Sequence, residues 1–119
     1  MILIIDIRQR LVDLGLEVAG IDYPWINTYR ISGLNRYVVW LNKDCIEVVK
    51  DLYIMKWYCD ETITNTNISA SIAIKYYDFF EAEEQIKKII ERYKELQLEL
   101  KNEKIRERLK YLEKDFENE

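Results

Sequence analysis

The feature that most constrains this chain is the apolar spacing of its last third. After Asp78, the residues Ala82, Ile86, Ile89, Tyr93, Leu96 and Leu100 follow at intervals of four, three, four, three and four. An α-helix, at 3.6 residues per turn, brings such positions onto one stripe. Asp78 with Glu81 three residues on fits a capping box, so the helix is expected to open there. Glu83 with Lys87, and Glu84 with Lys88, are spaced as favourable i, i+4 pairs on its flanks. The stripe lasts under three heptads, which does not demand a long coiled coil.

Beyond Leu100 the pattern shifts. Ile105, Leu109, Leu112 and Phe116 make a second stripe, which traces back through Asn102 to Leu98. Leu98 falls roughly opposite Leu96 and Leu100 on a helix surface. Two structures satisfy this. Either the helix breaks near Lys101-Asn102 and folds back as a helical hairpin, or it runs straight and its distal half meets a partner on a different face. The first requires only a short loop, and the second makes residues 102–119 a projecting arm.

Upstream, Ile4, Ile7, Leu11, Leu14 and Val18 are spaced as one face of a helix, ended by Gly15 or by Gly20. Trp25 to Ile31 reads as a strand, Ser32-Gly33-Leu34-Asn35 as a turn, and Tyr37 to Leu41 as a second strand, apolar on both faces. Segment 45–58 is open between helix and strand. Asp44 with Glu47 resembles a helix cap, whereas Ile46, Val48, Val49 and Ile54 favour strands 45–50 and 52–58 with a break at Lys50-Asp51. The strand reading is preferred, and as a hairpin it would bring Cys45 near Cys59. Residues 60–67 read as a polar loop. Residues 68–77 alternate as one half-buried antiparallel strand. The expected fold is α+β: an N-terminal helix, an antiparallel sheet of three to four strands, and a long C-terminal helix. Residues 1–101 form the domain, and 102–119 are its helical extension.

The 119 residues argue for one domain. A hydrophobic fraction of 49% with 34% charged residues is that of a globular chain. The net charge of -4 disfavours passive binding to nucleic acid or anionic membrane. No stretch approaches the roughly 20 apolar residues of a membrane span, and the expected location is cytoplasmic. Two cysteines make neither a disulfide framework nor a zinc motif. Few glycines and many Glu and Lys residues suit a thermophile protein. An AT-rich genome gives the same usage, and the seven asparagines favour that second reading.

The chain has no histidine. That removes Ser-His-Asp and Cys-His catalysis, His-dependent nicking enzymes and the usual zinc sites. The three glycines fit neither a phosphate loop nor a dinucleotide fingerprint. No cofactor is expected. A carboxylate-metal nuclease would need a site such as Asp44, Glu47 and Lys50. However, Glu47 and Lys50 would point to opposite faces of a strand, and a capped turn with solvated charges explains them better.

A basic stretch at Lys101, Lys104, Arg106, Arg108 and Lys110 offers a nucleic-acid alternative, diluted by Glu103 and Glu107. The helix–strands–helix layout resembles that of double-stranded-RNA-binding domains. Those domains begin their last helix with a basic cluster, whereas this one begins with Asp78, Glu81, Glu83 and Glu84, which suit the helix dipole and repel phosphate. Trp25, Trp40, Trp57 and the nearby tyrosines could stack bases, but such residues more often fill a core or an interface.

The Ile/Tyr/Lys/Glu-rich usage, the run Tyr76-Tyr77-Asp78-Phe79-Phe80 and the charged helix Glu83 to Lys114 make the chain similar to small orphan accessory proteins of crenarchaeal viruses. The layout also looks like that of some small phage inhibitors of host CRISPR nucleases. The resemblance implies a virus-encoded protein that acts by binding in the host cytoplasm. It carries no functional residues across. The expected function is a non-enzymatic interaction module, homodimeric or bound to another protein, with Ile105, Leu109, Leu112, Phe116, Tyr37 and Trp40 at the interface.

Overall fold

The computed structural model describes residues 4–20, 27–59 and 62–117. Helix α1 (Ile4–Asp13) turns Leu11 fully into the core and packs Ile7 against it, with Leu14 following in the turn just past the helix end. It ends at Gly15, whose φ of 103° is a left-handed conformation that glycine adopts without strain. The helical reading of Val18 is therefore corrected. Leu16–Gly20 is strand β1, in which Leu16 lies opposite Ile31 and Val18 opposite Tyr29. Once Gly15 redirects the chain, alternation at Leu16 and Val18 has the strand period.

Strands β2 (Asn27–Ile31) and β3 (Val39–Leu41) form the expected hairpin, with Tyr29 opposite Val39 and Asn27 opposite Leu41. Residues 25 and 26 of the expected first strand lie outside the described residues. Strands β4 (Ile46–Val49) and β7 (Ala73–Tyr76) complete an antiparallel sheet in the order β1-β2-β3-β4-β7. The sheet has five strands where three to four are expected, because the chain past Gly15 adds β1 at its edge.

Between β4 and β7 the chain makes a second, two-stranded sheet from β5 (Leu52–Cys59) and β6 (Thr62–Ala70). The break at Lys50-Asp51 is where the sequence places it. The strands on either side do not fold onto each other, however: β4 pairs with β7, and β5 with β6. Lys50 N–H donates to the Ile72 carbonyl at 2.9 Å and Ser71 N–H to that of Asp51 at 3.0 Å, so the ladder crosses the break. The result is one long ribbon kinked at its middle. Ser71 Oγ accepts from Asp51 N–H at 2.8 Å. Gln85 of the last helix donates to the Val49 and Lys50 carbonyls at 3.0 and 2.9 Å. The kink thus keeps its polar backbone partnered.

Three expectations are corrected by this ribbon. From Thr62 to Asn67 the chain is strand, not loop; threonine and isoleucine outweigh the asparagines there. The strand expected over 68–77 is interrupted at Ser71-Ile72. Cys45 and Cys59 lie at opposite ends of the β4–β5 segment instead of facing each other, and Cys45 is a free thiol.

Helix α2 (Phe79–Glu117) opens as expected, with Phe80 N–H donating to Asp78 Oδ1 at 3.0 Å. It covers one sheet face, where Ala82, Ile86, Ile89, Tyr93 and Leu96 join Tyr29, Val39, Leu41, Ile46 and Val48 in one buried cluster. Glu83 does not take the expected Lys87. It is buried and held by Arg10 of α1 at 2.9 and 3.2 Å, and Lys87 pairs with Glu84. Its 39 residues run without a break, so the hairpin alternative at Lys101-Asn102 is excluded and the distal half extends as an arm.

Candidate interaction surface

The two stripes of α2 have separate fates. The proximal one is core. Leu96 is 1% exposed, and Leu100 is the last of that stripe to be partly covered. Lys56 of β5 donates to Glu103 at 2.8 Å, the most distal tie from α2 to the sheets among the described residues. Past it the stripe Ile105, Leu109 and Leu112 is 47, 54 and 54% exposed. Phe116 lies on the same stripe, and its side chain is outside the described residues. Leu98, at 59% exposure, and exposed Asn102 continue the row toward the domain. At 100° per residue this row sits ~160° around the helix from the core stripe. Sequence reasoning left Leu98 and Asn102 out of the candidate interface, although their spacing already carried the signal.

Tyr37 and Trp40 occupy a different surface. Val39 and Leu41 point into the core, so Trp40 between them lies on the opposite sheet face, beside Thr28 and Glu47 of its neighbours. Tyr37 is 44% exposed and meets the half-buried Trp40 edge to face at 6.4 Å. Arg30 and Arg36 line the same cleft, and Arg30 is paired with Glu17 at 3.3 Å. Glu47 and Lys75 face each other across β4 and β7. The second sheet face mixes charged residues with buried Thr28 and Val49, and Val49 and Ala70 line the cleft beside the aromatic pair. The distal helix stripe and the Tyr37–Trp40 pair therefore do not form one continuous patch.

The basic residues do not gather on a single face either. Lys101, Lys104 and Arg108 fall on one flank of the distal stripe, Arg106 and Lys110 on the other. All five are exposed. The carboxylate candidates are similarly dispersed: Asp44 is in the β3–β4 turn, Glu47 is on β4 and Lys50 is at the kink. Among the described residues no group of three acidic or thiol side chains is placed to hold a metal ion. No described helix is long and apolar enough to cross a membrane.

Burial pushes the Cys45 thiol above its ordinary pKa, an effect that Lys75 opposes and that Glu47 and Asp44 reinforce. The phenols of Tyr29 and Tyr93 are raised for the same desolvation reason. These are core and turn positions, away from the distal stripe. Compared with protein-family models, curated proteins and solved structures, the chain matches none.

Proposed function

We propose that the protein is a non-enzymatic interaction module that associates with a second copy of itself through the distal half of α2. The observation that carries this reading is the apolar row Leu98, Ile105, Leu109 and Leu112, exposed on a helix arm that its own core leaves uncovered. A surface helix buries its apolar stripe against something, and here the chain's own sheet already occupies the other side. The virus-encoded accessory role implied by the sequence resemblance belongs to the same proposal, with the dimer as the binding-competent form.

The energetics favour a concentration-dependent dimer. Each half-exposed Leu or Ile would contribute roughly 1 kcal/mol on full burial. Six to eight such side chains, counted over both copies, only modestly exceed the low end of the association cost of about 4–15 kcal/mol. Light scattering is expected to give twice the chain mass at high concentration. Leu109→Glu places a charge in the row and should return the monomer mass. An unchanged mass for that variant would refute the distal interface.

A further inference from the structure

We infer that the distal helices pair as a short, parallel, in-register two-stranded coiled coil, with the two copies of Asn102 facing each other. This rests on the homodimer reading above and adds the orientation, register and extent of that contact.

The row Leu98, Asn102, Ile105, Leu109, Leu112 and Phe116 is spaced four, three, four, three, four. Read as heptads, Leu98, Ile105 and Leu112 take the d positions, and Asn102, Leu109 and Phe116 the a positions. Followed toward the domain, the same seam meets Glu95, Glu91, Lys88 and Glu84, all charged and exposed. The apolar seam therefore begins at Leu98. Its span to Phe116, at 1.5 Å per residue, is about 28 Å. Because the seam faces away from the sheet-packed stripe, two α+β domains would lie on the outside of the coil without meeting.

Charge complementarity selects the orientation. In a parallel pair each g residue approaches the e residue five positions on in the other helix. Lys94 then meets Glu99 and Arg108 meets Glu113, both attractive, while Lys101 meets Arg106. An antiparallel pair that keeps all six seam positions together sets Glu99 against Glu113, and sets Arg106 and Arg108 each against its own copy. Only Lys101 with Asp115 gains. Opposite charges dominate the parallel arrangement and like charges the antiparallel one.

Asn102 independently favours the same orientation. In a parallel coil a packs against a, so the two amides supply each other with a donor and an acceptor. In the antiparallel coil Asn102 would pack against Leu112, and its buried amide would lack a partner. A single asparagine at an a position also specifies register and two-strandedness at some cost in affinity.

The test uses the full-length chain carrying Cys45→Ser and Cys59→Ser, with light scattering of the reduced protein as its first readout. Asn102→Cys in that background is then oxidised alone, and in mixture with a Leu112→Cys chain. The expected result is a dimer mass, near-complete disulfide formation between the two thiols at position 102, and little product joining positions 102 and 112. A dimer mass with the 102–112 product dominant would overturn the parallel orientation and leave the homodimer reading standing. A monomer mass for the reduced parent would overturn both. In the otherwise natural chain, Asn102→Leu should tighten the dimer at least tenfold and admit species larger than dimers. An affinity and mass unchanged by Asn102→Leu would remove Asn102 from the seam even if the protein dimerises.

Discussion

Arg10 and Glu83 stand 73 residues apart in sequence and meet at 2.9 Å, joining the two helices across the top of the core. The Glu83 side chain is 10% exposed, and the Arg10 guanidinium, itself half exposed, also lies over the Phe79 ring at 5.5 Å. Arg10→Ala would leave a buried carboxylate without its partner. Because Arg10 is open to solvent, the loss is expected to be about 1–2 kcal/mol, below that of a fully buried pair, and readable from the urea midpoint. Glu83→Gln, which removes the charge with little change of shape, should cost less than Arg10→Ala. Cys45 should respond to pH. Its raised pKa means less thiolate at any given pH, so in a Cys59→Ser chain alkylation should be slower than for an unstructured thiol, with its pH midpoint shifted upward. In the folded protein Cys45, Tyr29 and Tyr93 hold their protons more tightly than in the unfolded chain. Their contribution to stability is therefore present at neutral pH and is lost as pH rises through their raised values.

At the scale of the element, α2 is one helix with two tasks, and the same substitution should report them separately. Leu96→Ala empties a space inside the core and should cost about 2–4 kcal/mol of monomer stability. Leu109→Ala, made at a concentration where the chain is monomeric, should change that stability by no more than about 0.5 kcal/mol. Denaturant titration of both variants checks the contrast; equal losses would mean that the distal stripe is packed within the monomer. The kinked ribbon is the other element the alternation pattern did not separate. Residues 68–77 alternate without interruption in the sequence, yet Ser71 and Ile72 leave the strand where Asp51 and Gln85 clamp the kink. Those clamps join residues 20 and 36 positions apart, beyond the range of any local pattern.

The whole molecule is elongated. Its radius of gyration is 18.6 Å, against about 13.5 Å for a compact chain of this length, and it extends 70 Å along its long axis. The arm accounts for the difference. Most helical stability in proteins comes from packing of an apolar face, and the arm's row is exposed, so the arm's helicity depends on what covers it. Far-UV circular dichroism is expected to show helical signal rising with protein concentration over the range in which the mass doubles. Leu109→Glu should hold the signal at its dilute value. A signal independent of concentration while the mass doubles would mean that the arm is helical before it pairs.

The sequence alone determined the α+β class, the β2–β3 hairpin, the cap at Asp78 and both stripes of the last helix. Each is written in short-range spacing, and spacing survives without knowledge of neighbours. The structure alone decided that α2 runs unbroken past Asn102, that β5 and β6 form a ribbon apart from the main sheet, and that Glu83 turns inward to Arg10. The physical reason is common to all three. Each is a choice among locally equivalent options, settled by packing and hydrogen bonds between residues far apart in the chain. The register change at Leu98 to Asn102 is legible in the residues. That it exposes an apolar seam instead of closing a hairpin is decided by the fold, because the sheet and ribbon fill the space on the opposite side of the helix.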